Sequence, residues 1–254
     1  QERDIHPCNP LIRFLRCTGE NRHGERDIYG FPPTSPGLRV GLLGGSFDPP
    51  HEGHVHITRW ALRRFQLDRV WWLISPGNPL KTIGPAPLER RIQAANSLVA
   101  HPRVIVTDLE RRLGTRYTSE TLRALRLRYP LVRFVWLMGA DNLVQFHRWE
   151  DWDGIMMQMP LGIMARPEEQ VSAGMSHAAR KYARFRLNPR RSSGLALRQA
   201  PAWSLLTGRM LAVSSSEIRA ARYWTSLARY SASRSVILRT SSSDGFAMFA
   251  SSAR

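Results

Sequence analysis

The amino-acid sequence predicts an α/β protein built on a doubly wound parallel sheet with helices on both faces. Short apolar runs alternate with amphipathic stretches five times along the middle of the 254-residue chain. This alternation is typical of a parallel sheet whose strands are joined by crossover helices. The segments rich in glycine, histidine and serine also follow predicted strands, and such sheets bind ligands at the carboxyl ends of their strands.

The predicted strands are runs of valine, leucine, isoleucine, tryptophan and phenylalanine that are too short to be helices. They cover residues 38–43 (LRVGLL), 69–74 (RVWWLI), 103–109 (RVIVTDL), 132–138 (VRFVWLM), 161–165 (LGIMA) and 210–213.

The predicted helices lie between these runs. Residues 54–65 place most of their apolar side chains in one wide stripe. Residues 118–128 start at Thr118, and a threonine or serine near the start can cap a helix. The other predicted helical segments are residues 88–99, a turn from Ala140, residues 167–185 and a short helix from Ser214.

The two ends of the chain show no sustained periodicity. We expect residues 1–37 to be a poorly ordered extension, residues 38–222 to form one domain, and the Ser-rich residues 223–254 to be a separate segment. No apolar run approaches the roughly 20 residues that span a bilayer. The two cysteines, Cys8 and Cys17, support neither a disulfide framework nor a zinc site. These features favour a soluble, cytoplasmic protein without a membrane partner.

The net charge of +17 is concentrated in the predicted domain. Residues 38–222 carry 28 basic and 14 acidic side chains. An excess of positive charge favours anionic partners, which include phosphates, nucleotides and nucleic acid. However, 35 of the 37 basic residues are arginines, a skew that the base composition of a gene can produce, so the charge by itself does not select a function.

The stretch GLLGGSFDPPHEGH, residues 41–54, holds more special residues than a turn requires. Gly44 and Gly45 allow backbone N–H groups to approach a ligand, and the N-terminus of the next helix favours an anion. His51 and His54 are three residues apart and therefore share one face of the first helical turn. A phosphate suits this array best. Zinc would need a further ligand, and two histidines that only cap a helix would not explain the glycines.

The motif GGSFDPPHEGH resembles the signature of the H-x-G-H nucleotidyltransferases, and is most similar to that of the bacterial nicotinate-nucleotide adenylyltransferases. Four more segments occur in the order of that family: ISPGNPLK, RYTSETL, GADNLVQFHRWEDW and VSSSEIR. The resemblance implies a Rossmann-like nucleotidyltransferase fold. It also implies adenylyl transfer from ATP to nicotinate mononucleotide, giving deamido-NAD and pyrophosphate in NAD biosynthesis. Mg²⁺ would be held largely by substrate oxygens and water, so no metal site made of protein ligands is expected.

The resemblance also assigns roles to single residues. Asp141 would accept hydrogen bonds from the ribose of ATP, and Trp149 would stack on the nicotinate ring. The implied catalytic residues are His51, His54, Lys81 and Arg219. The implied ATP-binding residues are Gly44, Gly45, His51, His54, Gly139, Asp141, Ser214, Ser215 and Arg219. The implied nicotinate mononucleotide-binding residues are Ser46, Phe47, Lys81, Tyr117, Thr118 and Trp149.

The sequence departs from the family pattern in three places. Ser216 stands where threonine is usual, Arg116 stands where a small residue is usual, and the segment after Arg222 is unlike the end of the family. Two alternatives keep the chemistry but change the acceptor to pantetheine phosphate or nicotinamide mononucleotide. Another is a non-catalytic nucleotide- or RNA-binding protein on the same scaffold. The presence of both histidines, Lys81 and Arg219 argues against it, so we do not expect nucleic acid as a partner.

Overall fold

A parallel sheet forms the centre of the computed structural model, which describes residues 30–77, 84–165 and 167–208. Its strands are β1 (Arg39–Gly45), β2 (Arg69–Ile74), β3 (Val104–Thr107), β4 (Arg133–Gly139), β5 (Leu161–Ala165) and β6 (Trp203–Thr207), in the spatial order β3-β2-β1-β4-β5-β6. The chain runs outward from β1 to β3, then returns to place β4 on the other side of β1, so the strand order reverses between β1 and β4. The doubly wound parallel sheet predicted from the sequence is confirmed.

The helices and 3₁₀ turns lie between the strands in sequence. None of the helices in the described ranges combines the length and the apolar character needed to cross a membrane. The α-helices are α1 (Glu52–Arg64), α2 (Leu88–Leu98), α3 (Leu109–Leu113), α4 (Thr118–Arg128), α5 (Ala140–Gln145), α6 (Trp152–Gln158), α7 (Gln170–Gly174) and α8 (His177–Lys181). The 3₁₀ turns are Phe146–Arg148, Pro167–Glu169, Ala183–Phe185 and Pro189–Leu197.

The strands are apolar on both faces because both faces of the sheet are covered. Leu42 and Trp71 are buried in one apolar cluster, whereas their neighbours Leu43 and Trp72 are buried in a second cluster. Successive side chains of a strand point to opposite faces. Continuous rather than alternating apolar runs are therefore what a sheet covered on both sides requires.

The segment 167–185 differs from the single helix that the sequence predicted. The helix α7 ends at Gly174, and a new helix, α8, starts after Ser176. The side chain of Ser176 accepts a hydrogen bond from the N–H of Ala179 at 3.2 Å. This contact is an N-cap, and it satisfies a donor at the start of a second helix instead of continuing the first.

Other differences concern short elements that the apolar pattern does not reveal. The predicted strand 103–109 ends at Thr107, because Leu109 is already the first residue of α3. The helix α6 follows Asp151, whose carboxylate caps the N–H of Gly154 at 3.2 Å. The strand β6 was not predicted. The predicted strand 210–213 and the predicted helix from Ser214 lie outside the described residues.

Residues 30–37, which the sequence pattern assigned to the N-terminal extension, contact the domain. The ring of Phe31 lies 3.9 Å from the guanidinium carbon of Arg128. The hydroxyl of Tyr129 donates a hydrogen bond to the carbonyl of Pro32 at 3.1 Å. Packing of the domain therefore begins before residue 38. Residues 1–29 and residues 223–254 lie outside the described ranges.

Candidate active site

Several of the predicted site residues that the structure describes follow the carboxyl ends of β1 and β4. The two strands pair through Leu43 and Leu137, and they end at Gly45 and Gly139. The strand order reverses at this place, and open α/β sheets bind ligands in the crevice formed there. The residues that the fold brings to this crevice from two distant parts of the sequence are Gly44, Gly45, Ser46 and Phe47 after β1, and Gly139 and Asp141 after β4.

His51 and His54 cap the start of α1 with their Nδ1 atoms. The Nδ1 atom of His51 accepts a hydrogen bond from the N–H of Gly53 at 3.1 Å, and the Nδ1 atom of His54 accepts one from the N–H of His51 at 3.2 Å. The two ring centroids are 3.9 Å apart. A neutral imidazole whose Nδ1 is an acceptor carries its proton on Nε2. The proton of each neutral ring therefore lies on Nε2, and Nε2 is the donor atom of the ring.

His54 is neutral at physiological pH. Burial of the ring, and then the neighbouring His51, lower the pKa of His54 from 6.5 to about 3. His54 is thus a hydrogen-bond donor that needs no positive charge, and a bound anion next to it would raise this pKa.

The ring of Phe47 supports the histidine pair from inside the domain. Phe47 is 1% exposed, and its ring centroid lies 4.5 Å from that of His54 and 4.9 Å from the stacked ring of Trp72. The indole N–H of Trp72 donates to Thr58 Oγ1 at 2.8 Å. Phe47 has a φ of +46°, a left-handed conformation that costs about 1–3 kcal/mol in a residue other than glycine. Burial of its ring offsets that cost.

The two glycines at the end of β1 have different roles. A Cβ atom at Gly44 would collide with the indole ring of Trp136, so packing of the core requires glycine there. A Cβ atom at Gly45 would meet only ordinary van der Waals contacts, the nearest being Phe47 at 3.5 Å. Packing therefore does not require glycine at this position, and the predicted approach of a ligand to the Gly45 backbone is compatible with that freedom.

Gly139 leaves room for the carboxylate of Asp141. A Cβ atom at Gly139 would collide with Asp141 Oδ1, so the acidic side chain folds back over the glycine at the start of α5. Asp141 is exposed. Its carboxylate is accordingly held near the end of β4 and remains open to solvent, where it can accept hydrogen bonds.

Tyr117 and Thr118 lie at the start of α4. The carboxylate of Glu120 accepts hydrogen bonds from the N–H groups of Tyr117, at 3.1 Å, and Arg116, at 3.0 Å. Thr118 is the first residue of the helix, so its own N–H has no intrahelical acceptor. The guanidinium carbon of the exposed Arg116 lies 5.6 Å from the centroid of the Tyr117 ring.

Trp149 packs with one side of its ring against the core. Its centroid is 5.4 Å from that of Phe146 and 6.5 Å from that of Trp136, both edge to face. Trp136 is the residue that covers Gly44, so Trp149 borders the same crevice. Trp149 is half-buried, which leaves part of its ring open for stacking.

The remaining predicted site residues, Lys81, Ser214, Ser215 and Arg219, lie outside the described residues. In the ranges that the structure describes, no group of three or more His, Cys, Asp or Glu side chains is arranged to hold a metal ion.

Arg91 is a site residue that the motifs did not reveal. It is buried on α2, and it donates hydrogen bonds to the carbonyl oxygen of Ser46 at 2.6 Å and to that of Ser75 at 2.7 Å. A signal was present in the sequence: Leu88, Arg91 and Ala95 recur at helical spacing and are the buried residues of α2. A charged residue on an apolar stripe indicates a buried polar contact.

Comparisons with known proteins show the family to which the chain belongs. A sequence model of the family described as Cytidylyltransferase-like matches residues 42–221. A protein of Ruegeria pomeroyi named "Probable nicotinate-nucleotide adenylyltransferase" is 58% identical over 196 residues, which are 77% of this chain and 92% of that protein. A protein of Cereibacter sphaeroides with the same name is 60% identical over 185 residues, or 73% of this chain and 98% of that protein. The chain belongs to the nicotinate-nucleotide adenylyltransferase family.

As a member of the nicotinate-nucleotide adenylyltransferase family, the chain is a nucleotidyltransferase. Its fold is similar to that of Plasmodium falciparum nicotinic acid mononucleotide adenylyltransferase, solved in complex with NaAD, with a TM-score of 0.54 and 18% identity. That match covers 72% of this chain and 82% of the solved one. The nucleotidyltransferase fold implied by the sequence motifs is therefore confirmed.

Proposed function

We propose that this protein transfers the adenylyl group of ATP to nicotinate mononucleotide, forming deamido-NAD and pyrophosphate. One observation of the structure carries the proposal. Two histidines at the point where the strand order reverses use Nδ1 to cap α1, and each neutral ring therefore carries its proton on Nε2 as a hydrogen-bond donor. Membership of the nicotinate-nucleotide adenylyltransferase family supports the choice of substrates.

The reaction needs little covalent chemistry from the protein. A 5′-phosphate oxygen of nicotinate mononucleotide attacks the α-phosphorus of ATP and forms a new P–O bond. The bond from the α-phosphorus to the bridging oxygen breaks, and pyrophosphate leaves with that electron pair. The nucleophile is already an anion at neutral pH, so no general base is required. Catalysis then depends on positioning and on stabilisation of the charge that develops.

His51 and His54 would donate Nε2–H hydrogen bonds to phosphate oxygens of ATP. Their Nδ1 contacts orient both rings before any ligand binds, so no reorganisation is needed as negative charge spreads in the transition state. Lys81 and Arg219 would add positive charge, as the family resemblance implies. Mg²⁺ bound by the triphosphate would neutralise part of its charge, since hard phosphate oxygens and water are the ligands that it prefers.

Nicotinate mononucleotide would bind between the end of β1 and the start of α4. Ser46 and the backbone of Phe47 would contact its phosphate. The free N–H of Thr118, beside Tyr117, would meet the nicotinate carboxylate, since the start of a helix favours a negative group. The open part of the Trp149 ring would stack on the nicotinate ring.

ATP would bind on the β4 side of the crevice. Gly139 would let the adenosine approach the backbone, and the solvent-facing carboxylate of Asp141 would accept hydrogen bonds from the ribose hydroxyls. Ser214 and Ser215, with Arg219, would hold phosphate oxygens, a role that rests on the VSSSEIR motif.

The direct test is pyrophosphate release by the purified chain with ATP, magnesium and nicotinate mononucleotide. Parallel reactions contain nicotinamide mononucleotide or phosphopantetheine in place of the nicotinate substrate. The His54→Ala variant is the control for contaminating activity. We expect release with nicotinate mononucleotide above the other two acceptors, and its loss in the variant. Folded protein that releases no pyrophosphate with any acceptor would refute the proposal. RNA binding with a steep salt dependence would then be measured.

A further inference from the structure

Arg91 is buried although it carries a positive charge. Its exposed fraction is 2%, and in the described part of the chain no carboxylate lies within ion-pair distance of it. Burial lowers the pKa of its guanidinium, and the charges of Asp48, Glu89 and Glu110 oppose that shift. A buried charge without an ion pair is costly, so its hydrogen bonds must compensate.

The hydrogen bonds of Arg91 go to backbone carbonyl oxygens. Besides its Nη1 contacts to Ser46 and Ser75, its Nη2 donates to Pro76 at 3.2 Å. Its Nε donates to Ala86 at 2.7 Å. Ser46 follows β1, whereas Ser75 and Pro76 follow β2. One side chain therefore joins the loops at two adjacent strand ends.

A second contact holds the same loop. The carboxylate of Asp48 accepts a hydrogen bond from the N–H of Ala86 at 3.3 Å. The loop after β1 is thus attached to the segment before α2 through two different peptides, at Ser46 and at Asp48.

The contact at Ser46 determines the direction of one backbone donor. The carbonyl of Ser46 and the N–H of Phe47 belong to the same peptide, which is not among the cis peptides of the described residues. In a trans peptide, the C=O and the N–H point in opposite directions. Because Arg91 holds the carbonyl, the N–H of Phe47 points away from Arg91. A charged donor on the carbonyl also polarises the peptide and strengthens that N–H as a donor.

We propose that Arg91 is a positioning residue that orients and polarises the Ser46–Phe47 peptide so that the N–H of Phe47 binds the phosphate of the mononucleotide. The proposal rests on the function proposed above and adds a residue that does not touch the substrate. Its effect is selective for one substrate, since His51 and His54 are oriented by their own capping contacts.

The test compares Arg91→Lys and Arg91→Met with Arg90→Met, a change at the exposed neighbouring residue of the same helix. Lysine keeps the charge but cannot reach four carbonyls with one ammonium group. We expect both Arg91 variants to raise KM for nicotinate mononucleotide by about tenfold, the value of one charge-assisted hydrogen bond. KM for ATP should change by less than about twofold, and Arg90→Met should match wild type.

A spectroscopic measurement tests Arg91 independently of turnover. The Ser-Phe pair at residues 46–47 occurs once in the sequence, so labelling serine carbonyl carbon with ¹³C and phenylalanine nitrogen with ¹⁵N selects the Phe47 amide. In wild type and Arg90→Met, the NMR signal of this amide should shift when inorganic phosphate or nicotinate mononucleotide is added. In Arg91→Met, the NMR signal of the Phe47 amide should differ from that of wild type even without ligand. It should respond to phosphate or nicotinate mononucleotide only at about tenfold higher ligand concentration.

The outcomes separate this proposal from the proposed function. Wild-type KM and a wild-type Phe47 signal in both Arg91 variants would overturn the role of Arg91 while leaving adenylyl transfer intact. Wild-type protein that releases no pyrophosphate would refute the function, and the phosphate titration of the Phe47 amide would still decide the role of Arg91. If thermal unfolding shows that Arg91→Met does not fold, the KM and the Phe47 signal of Arg91→Lys decide whether Arg91 has the proposed role.

Discussion

The loop after β1 and the segments after β4 border the same crevice, but their side chains are held in different ways. On the β1 side, Phe47 is buried under the histidine pair. Both histidines are fixed by backbone hydrogen bonds, and Arg91 holds the carbonyl of Ser46. These groups are positioned before a ligand arrives.

The β4 side is more open. Asp141 is exposed, and Trp149 is half-buried. The position of the Asp141 carboxylate depends on the absence of a side chain at Gly139, and the Trp149 ring packs edge to face with Phe146 and Trp136.

This difference corresponds to the two tasks of the proposed site. Phosphates carry the charge that changes during the reaction, and fixed donors stabilise such charge without a cost of reorganisation. Sugar and base contacts contribute to binding in the ground state and in the transition state alike, so rigidity matters less for them. The two histidines, as fixed donors to the phosphates of ATP, should therefore affect kcat, whereas the open β4 side should affect KM.

The largest effect is expected from changing each histidine to asparagine. The Oδ1 atom of asparagine can replace Nδ1 as the capping acceptor, but it cannot supply the Nε2–H donor. We expect His51→Asn and His54→Asn to fold normally and to lower kcat by about 100- to 1,000-fold. The measurement is steady-state pyrophosphate release together with a melting temperature.

His101 provides a matched control for these variants. Its Nδ1 atom also accepts a hydrogen bond from an N–H two residues later, that of Arg103, at 3.2 Å. It precedes β3 and thus lies at the opposite end of the sheet. His101→Asn should keep full activity. Equal kcat in wild type and the two site variants would show that the histidines only cap α1.

A smaller effect is expected on the β4 side, from Gly139→Ala and Asp141→Asn. The new methyl group at residue 139 displaces the carboxylate of Asp141, so both changes disturb the same ribose contact. Each should raise KM for ATP by about tenfold with a small change in kcat.

The two changes should also be non-additive, since the double variant loses the contact only once. Gly174→Ala is the control, because a Cβ atom there meets open space. Fully additive effects, or an unchanged KM for ATP, would contradict the assignment of Asp141 to the ribose.

The smallest effect concerns stability as a function of pH. The pKa of His54 is lowered from 6.5 to about 3 on folding. Between these values the unfolded chain binds more protons than the folded chain, so the free energy of unfolding falls as the pH is lowered below 6.5. Above pH 6.5 the contribution of His54 is constant. The free energy of unfolding should fall between pH 7.5 and pH 5 in both proteins. This fall should be larger in wild type than in His54→Asn, by on the order of 1 kcal/mol.

Urea unfolding at the two pH values measures this difference. Identical pH dependence in wild type and the variant would mean that His54 protonates in the folded state as it does in a peptide. The ring of His54 would then be more accessible to water than its contacts on the β1 side indicate.

Most of the elements and the core of the site could be predicted from local sequence patterns. The apolar runs placed β1, β2, β4 and β5 within two residues of their observed bounds. The spacing of His51 and His54 predicted both on the first helical turn; in the structure His54 lies in the first turn of α1, whereas His51 is the extended N-cap that precedes it. Local patterns suffice here because side-chain periodicity and turn residues depend on neighbours in the chain.

Other features were missed because distant residues create them. The strand β6 is recognised by its pairing with β5, not by a strong apolar run of its own. The break in residues 167–185 depends on a single cap at Ser176. The role of Arg91 depends on a carbonyl 45 positions away in the sequence.

The sequence by itself was enough to predict which residues would carry the chemistry, because a glycine-rich turn, a helix start and two histidines at helical spacing are local features. The tertiary structure decided the strand order, and with it the meeting of β1 and β4 at one crevice. It also decided which donors are fixed and which are open, because burial of Phe47 and Arg91 arises only when α2 and the ends of β1 and β2 pack together. Side-chain periodicity identifies a helix or strand, whereas contacts between helices and strands determine which functional groups are fixed in place.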